Sequence, residues 1–361
     1  MSQKHVALIF GGKSPEHEVS VVSARNIYNA INTNLFAVTL IGIAPNGKWY
    51  LEQAENHQKS DFKIGELGQE LFLLPGHEQD QIRILQSGES IGNIEVCFPI
   101  THGPNGEDGT LQGLLNQLNL PFVGPDVMGS AVAMDKDICK KLFLQAGIGC
   151  ADGVVLLRHL QDQIDYKKIT DELGSTLFIK PANMGSSIGV HKSTDEDSFH
   201  HAIKDAFLYD TKILIEKAVI GRELECAVLG NEYPKASTVG EIIMQKGFYD
   251  FESKYLSADN ALLYIPAQNL DESNIEKIQE IAIKAYQCLG LEGLTRVDVF
   301  LTEENEVIVN EVNTLPGFTA ISMYPKLWGK SGIAYSDLIT NLLDLAIQRH
   351  ERKKSLKSRR E

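Results

Sequence analysis

The sequence predicts an α/β protein in three parts: an N-terminal parallel-sheet domain over residues 1–129, a central subdomain over 130–215 and a C-terminal α+β domain over 216–361. Three observations carry this. Val6-Ala7-Leu8-Ile9-Phe10 is apolar without alternation, as a strand buried on both faces must be, and it runs into Gly11-Gly12 and then into helical spacing. Residues 177–190 read as a strand, a small-residue loop and a second strand. Residues 296–313 alternate polar and apolar on both sides of Glu304-Asn305, the pattern of an antiparallel hairpin. A length of 361 residues suits two or three domains of ordinary size.

Composition excludes several classes. A hydrophobic fraction of 43% and a charged fraction of 23% are those of a globular protein. The net charge of −14, from 34 basic and 48 acidic residues, is the opposite of a general nucleic-acid-binding footprint. Cys97, Cys139, Cys150, Cys226 and Cys288 are dispersed with no C-x-x-C pair, which reads as reduced thiols in a cytoplasmic protein. No apolar run approaches the roughly 18 residues of a membrane span. The short apolar run at residues 6–10 is too brief for a signal-peptide core.

Taken in order, residues 5–10 form the first strand, 18–28 a helix, 37–43 a second strand and 95–100 a third, running into Thr101-His102-Gly103-Pro104-Asn105-Gly106-Glu107-Asp108-Gly109. Open α/β sheets bind ligands at the carboxyl ends of their strands, so Glu16 and His102 are expected to enter one cleft. The Gly11-Gly12 loop lacks G-x-G-x-x-G spacing, a poor match for a dinucleotide site. Residues 131–147 read as one helix carrying Lys136, Lys140 and Lys141, with Gly147 at its C-cap. Lys180 ends an apolar strand, where an ammonium needs a partner. Gly185-Ser186-Ser187-Ile188-Gly189 can bring backbone N–H groups close to phosphate oxygens. No G-K-[S/T] follows, so this reads as a hairpin lid rather than a P-loop.

Residues 212–216 and 217–229 read as two strands flanking a connection. Glu216 and its successors are expected to offer free backbone groups to an adenine ring, with Glu223 at the ribose hydroxyls. Residues 246–255 are aromatic and charged without periodicity, the signature of a functional loop. Residues 274–290 form an amphipathic core helix and 336–348 a terminal helix. The seven Lys and Arg residues from Arg349 to Arg360 read as a solvated helix end.

A two-residue turn at Glu304-Asn305 would set Asp298 opposite Glu311 and Arg296 opposite Asn313. One face then holds two carboxylates, an amide oxygen and a guanidinium. Hard oxygen donors suit Mg²⁺ that also grips phosphate, and the Arg suits an anion or oxyanion.

These motifs together, Gly11-Gly12-Lys13-Ser14-Pro15-Glu16-His17-Glu18-Val19-Ser20, the His102–Gly109 run, Met134-Asp135-Lys136, Phe178-Ile179-Lys180-Pro181 with Gly185-Ser186-Ser187, and Arg296-Val297-Asp298 with Asn310-Glu311-Val312-Asn313-Thr314-Leu315-Pro316-Gly317, resemble the D-alanine–D-alanine ligases of the ATP-grasp superfamily. The resemblance runs from Val6 to about Asp344. It implies two ATP-grasp domains clamping ATP, after the N-terminal domain. It implies a cytoplasmic enzyme, a homodimer, that joins two D-alanines through a D-alanyl phosphate for peptidoglycan synthesis, with no membrane or nucleic-acid partner. By resemblance Lys136, Lys180 and Ser187 bind the ATP phosphates; Glu216, Lys217, Val219 and Glu223 hold adenosine; and Asp298, Glu311 and Asn313 carry two Mg²⁺ ions, with Mn²⁺ as a substitute and a monovalent cation as a further option. Glu16 and His102 hold the first D-alanine, and Lys254 and Ser322 the carboxylate of the second. Arg296 and the Gly317 N–H form an oxyanion hole, and Ser186 and Tyr255 hydrogen-bond with Glu16 to close the loop around residues 241–265. Tyr255 after Lys254 is the D-alanine-type pattern; the alternative is a D-alanine–D-lactate ligase or another ATP-grasp carboxylate–amine ligase.

Overall fold

The computed structural model describes residues 3–244 and 261–357. Its first part is a six-stranded sheet in the order β5-β4-β3-β2-β1-β6, with β1 Lys4–Gly11, β2 Phe36–Ile43, β3 Trp49–Glu52, β4 Gln69–Leu73, β5 Ile82–Ile84 and β6 Val96–Pro99. Only β2-β1-β6 is parallel; β3, β4 and β5 extend it antiparallel. Strand β1 runs between β2 and β6, and its residues 6–10 are fully buried, which is why they carry no alternation. Helices α1 His17–Ala30, α2 Ala54–His57 and α3 Thr110–Gln117 complete this part.

Two short helices follow, α4 Val127–Met134 and α5 Lys136–Gln145. The single helix expected over 131–147 is therefore broken at Asp135. The Asp135 side chain caps α5 by accepting from the Asp137 and Ile138 N–H groups, and it also takes the Lys212 ammonium at 2.6 Å. A capping carboxylate competes well with continued helix, and here a cation from a distant strand holds it in place.

The second sheet is antiparallel in the order β7-β10-β8-β9, with β7 Gly153–Leu157, β8 Leu177–Pro181, β9 His191–Ser193 and β10 Lys212–Lys217. Helices α6 Tyr166–Leu173 and α7 Glu196–Tyr209 bury Ile169, Phe199, Ile203 and Phe207 against Leu177, Ile179, Ile213 and Ile215. The strand that leaves the small-residue loop starts at His191, so residues 182–190 are all connection.

The third sheet is antiparallel in the order β13-β12-β11-β14-β15, with β11 Arg222–Gly230, β12 Lys235–Met244, β13 Ala261–Tyr264, β14 Gly293–Leu301 and β15 Val307–Asn313. Helix α8 Glu272–Cys288 packs Ile278, Ala282 and Ala285 into its core with Val297 and Val299. Helices α9 Met323–Lys330 and α10 Tyr335–Lys354 do something different: Tyr324, Leu338 and Leu342 share one core with Leu8, Phe10, Ile27 and Phe98 of the first part. The ends of the chain thus pack together, and the site lies where the three sheets meet.

The basic tail is not simply a solvated end. Arg349 is buried, with its guanidinium 4.5 Å from the Phe122 ring centroid, donating to the carbonyls of Phe122 at 2.7 Å and of Gly124. One turn on, Arg352 pairs with Glu232 and Glu292, and Lys353 with Asp126. Arg349 and Lys353 clasp the segment that joins the first part to α4, and Arg352 ties the same helix face to the ends of the third sheet's strands.

Candidate active site

The hairpin β14–β15 pairs Arg296 with Asn313 and Asp298 with Glu311, the register read from the sequence, by a different route. The loop has three residues rather than two: Thr302 N–H donates to Glu306 O, and Asn305 sits at φ 60°. Pairing therefore starts one residue out of step, Val299 opposite Val309, and a bulge at Asn310 restores it before Asp298. Arg296 then donates through Nε and Nη2 to both oxygens of Asp298 at 2.7 Å, and Asn313 Nδ2 donates to Asp298 Oδ2 at 3.0 Å. Arg296 Nε also lies 3.0 Å from Glu225 Oε2 on the neighbouring strand β11. Burial works against the Arg296 charge, but Asp298, Glu225 and Glu311 more than offset it and hold its pKa above the ordinary value.

The donor set fits a hard divalent cation. Asp298 and Glu311 are carboxylates and Asn313 adds an amide oxygen, and a cationic group already rests here, the Lys136 ammonium 3.7 Å from Glu311 Oε2. Two carboxylates and one amide leave a coordination shell to be completed by phosphate oxygens and water.

Lys136 is the first residue of α5, placed by the break at Asp135, and its ammonium donates to the Met184 carbonyl at 2.7 Å at the edge of the small-residue loop. In that loop Ser186 and Ser187 both take left-handed backbone conformations, φ 50° and 57°, which non-glycine residues adopt at a cost. A small cavity of about 20 Å³ lies between Lys136, Met184, Gly185, Glu311 and Asn313. Lys180 finds the partner its position requires in buried Glu216, at 2.8 Å. Lys140 holds the other Glu216 oxygen at 2.5 Å and donates to the Ala151 carbonyl. Burial would raise the Glu216 pKa, but the two ammonium groups lower it below the usual carboxylate value. The adenine strip differs from expectation: the Lys217 and Ala218 N–H groups are bonded to the carbonyls of Asp152 and Thr176. Val219 follows them, and Glu223 lies on β11, two residues from Glu225 and on the same face.

Glu16 stands buried at the N-terminus of α1 and accepts a hydrogen bond from Ser186 Oγ, which ties the first part to the loop of the second. Gly103 and Gly185 make room for this carboxylate: a Cβ on either would come 2.5 or 3.2 Å from Glu16 Oε2. His102 is buried next to it, but its ring nitrogens face Leu315 O at 3.0 Å and Ser23 Oγ at 3.2 Å, so it braces the site rather than presenting a free nitrogen. Burial lowers the His102 pKa, yet Glu107 and Glu16 outweigh burial and leave it raised. Gly317 follows the hairpin, with Ser322 Oγ 2.7 Å from where its Cβ would stand.

Lys254 and Tyr255 lie outside the described residues. The structure adds Lys140, Glu225, Ser23 and Asn26 to the residues expected here. Glu225 left a signal, a second carboxylate two residues after Glu223 in an apolar strand. The others look like ordinary helix residues until the fold brings their partners in from far along the chain.

Residues 5–125 match the family model described as D-ala D-ala ligase N-terminus, and 142–344 the one described as D-ala D-ala ligase C-terminus. The chain is 54% identical to a D-alanine–D-alanine ligase of Shouchella clausii, covering 99% of this chain and 98% of that protein. It is 47% identical to D-alanine–D-alanine ligase A of Escherichia coli K12, covering 99% and 100%. Among solved structures, a D-alanine–D-alanine ligase from Coxiella burnetii superposes with a TM-score of 0.84 at 36% identity, covering 98% of this chain and 97% of that one. The VanG D-Ala:D-Ser ligase from Enterococcus faecalis superposes with a TM-score of 0.86 at 36% identity, covering 96% and 100%.

Proposed function

The chain belongs to the D-alanine–D-alanine ligase family, and from that premise we propose how its residues divide the work of joining two D-alanines at the expense of ATP. The protein is an ATP-dependent ligase forming D-alanyl-D-alanine for peptidoglycan synthesis. The observation that carries our reading of the site is that side chains from all three parts of the chain converge: Glu16 on Ser186, Lys136 on Glu311, and Arg296 on Asp298 and Glu225.

A carboxylate is a poor electrophile, so the first D-alanine must be activated as its acyl phosphate before an amine can attack. In our reading Glu16, ionised and steadied by Ser186, takes the ammonium of the first D-alanine, with His102 bracing the neighbouring backbone. Lys136, Lys180 and the N–H groups around Ser187 receive the phosphates. Lys140 keeps Glu216 paired when Lys180 turns to phosphate, and Glu216, Lys217, Val219 and Glu223 line the nucleoside. Asp298, Glu311 and Asn313 would hold Mg²⁺ or Mn²⁺, two ions in our reading. The bound metal would neutralise charge on the transferring phosphoryl group. Arg296 and the Gly317 N–H stabilise the oxyanion of the second step, while Ser322 and Lys254 hold the carboxylate of the second D-alanine and Tyr255 closes over Glu16.

We further assign the domains as 1–129, 130–215 and 216–361, noting that β10 runs to Lys217, and take the enzyme to be a cytoplasmic homodimer; among the described residues no helix is long and apolar enough to cross a membrane. The test is phosphate release from Mg·ATP with D-alanine, L-alanine, or D-alanine mixed with D-lactate or D-serine, with product identification. D-alanine alone should suffice and yield the dipeptide. Turnover only with a mixed pair would move the acceptor assignment towards a depsipeptide or D-Ala:D-Ser product.

A further inference from the structure

The turn between β15 and α9 is gripped from the N-terminal part of the chain by side chains that have no role in the chemistry above. Ser23, fully buried on α1, accepts the Phe318 N–H at 3.3 Å and lies 3.2 Å from His102 Nε2. His102 Nδ1 faces the Leu315 carbonyl oxygen, which can only accept, so Nδ1 donates to it whether the ring is neutral or charged. Ser23 Oγ hydrogen-bonds with Nε2, donating to the neutral ring or accepting from the charged one, and in both cases keeps an Oγ lone pair for Phe318 N–H. Asn26, three residues along α1 and so on the same face, donates Nδ2 to the Phe318 carbonyl at 3.2 Å. Tyr335 donates its hydroxyl to the same oxygen at 2.9 Å. Leu315 O, Phe318 N and Phe318 O are thus each fixed, and Gly317 stands between them.

We propose that Ser23 and Asn26 are positioning residues for the second bond-forming step: they orient the peptide planes around Gly317 so that its N–H keeps its aim as the amine of the second D-alanine attacks. This rests on the reading of Gly317 as an oxyanion donor. An N–H contributes to an oxyanion hole only when it is aimed in advance, because reorienting it during the reaction would consume the gain. Glycine and proline neighbours leave the turn no side-chain anchor of its own at Pro316 and Gly317, so the anchors must come from outside. Beside His102 and Tyr335, two of them, Ser23 and Asn26, come from α1, the helix capped at Glu16, and this couples the order of the turn to the part of the protein that receives the first D-alanine.

The test separates the two half-reactions in the full-length enzyme. Reversible phosphoryl transfer to the first D-alanine is read by scrambling of label in bridge-oxygen-labelled ATP, and the second step by dipeptide formation. Ser23→Ala and Asn26→Ala should each slow dipeptide formation on the order of tenfold or more, as small misplacements of reacting groups do, with scrambling nearly unchanged. Asn26 is only half-buried, so its variant tests the proposal even where Ser23→Ala folds poorly. Equal loss in both steps, tracking a fall in melting temperature, would reduce these residues to packing and overturn the proposal, as would no loss in either. Gly317→Ala is run beside them. A selective loss of the second step there, without one in the α1 variants, would leave the oxyanion reading standing and remove Ser23 and Asn26 from it. Equal loss of both steps in Gly317→Ala would remove the oxyanion reading itself.

Discussion

At the scale of single residues, the site is built from charges that cannot be removed one at a time without consequence. Arg296 sits between Asp298 and Glu225, which are 4% and 3% exposed. Arg296→Ala would therefore leave two buried carboxylates without their main partner, at a cost on the order of 3–5 kcal/mol, and confuse folding with catalysis. Arg296→Lys keeps the charge but loses the two-pronged geometry. We expect kcat about 10²-fold lower in the Lys variant with a smaller fall in melting temperature than in the Ala variant. A near-wild-type rate would show that the guanidinium does not meet the oxyanion. His57 makes the opposite case, a polar ring in an apolar place. It is fully buried, 4.7 Å from Phe10 and 5.3 Å from Phe62 between ring centroids, and burial, with Arg25 nearby, lowers its pKa from 6.5 to about 4. A depressed folded-state pKa means that the unfolded chain takes up the proton first. The neutral ring's full contribution is present above pH 6.5 and is lost as pH falls towards 4, at most about 3 kcal/mol. Urea unfolding between pH 7 and 4 should show a shallower loss of stability in His57→Leu than in wild type; parallel curves would mean that the ring is solvated or already charged.

At the scale of elements, breaks in regular structure aim the functional groups. The chain could have continued one helix through Asp135, but a capping carboxylate held by Lys212 restarts it and puts Lys136 in the first turn, against Met184. Asp135→Ala should cost about 1–2 kcal/mol as a lost cap. It should also raise the KM for ATP more than it lowers kcat, since Lys136 loses its direction while the oxyanion hairpin is untouched. An unchanged KM would mean that Lys136 finds the phosphates without the break. The hairpin teaches a related lesson. Alternation along Arg296-Val297-Asp298 and Glu311-Val312-Asn313 was enough to show which polar residues share a face, because apolar partners must point inward whatever the turn does. The turn itself differs from the two-residue one that alternation suggests: a three-residue loop with Asn305 in a left-handed conformation shifts the pairing, and the bulge at Asn310 shifts it back. Burial of the valines decided the register, and the loop length adjusted to it.

At the scale of the whole molecule, the two ends of the chain are one structure. The last helices complete the core of the first sheet, and Arg349 fastens the segment after Phe122 through two carbonyls and a ring face. Arg349→Met should lower the free energy of unfolding in urea by roughly 3 kcal/mol, because two buried carbonyls lose a charged donor. A change below about 1 kcal/mol would return the tail to the role of a solvated end. From the sequence alone came the fold class, the ligase resemblance and the residues that share the hairpin face, since apolar periodicity, glycine placement and motif order are written in neighbouring residues. The pairing of Lys140 and Lys180 on Glu216, the joining of Glu225 to Arg296, the bracing of His102 by Ser23 and the clasp of Arg349 came only from the tertiary structure. Each joins residues tens to hundreds of positions apart, and a hydrogen bond or ion pair is decided by distance in space, which local periodicity does not encode.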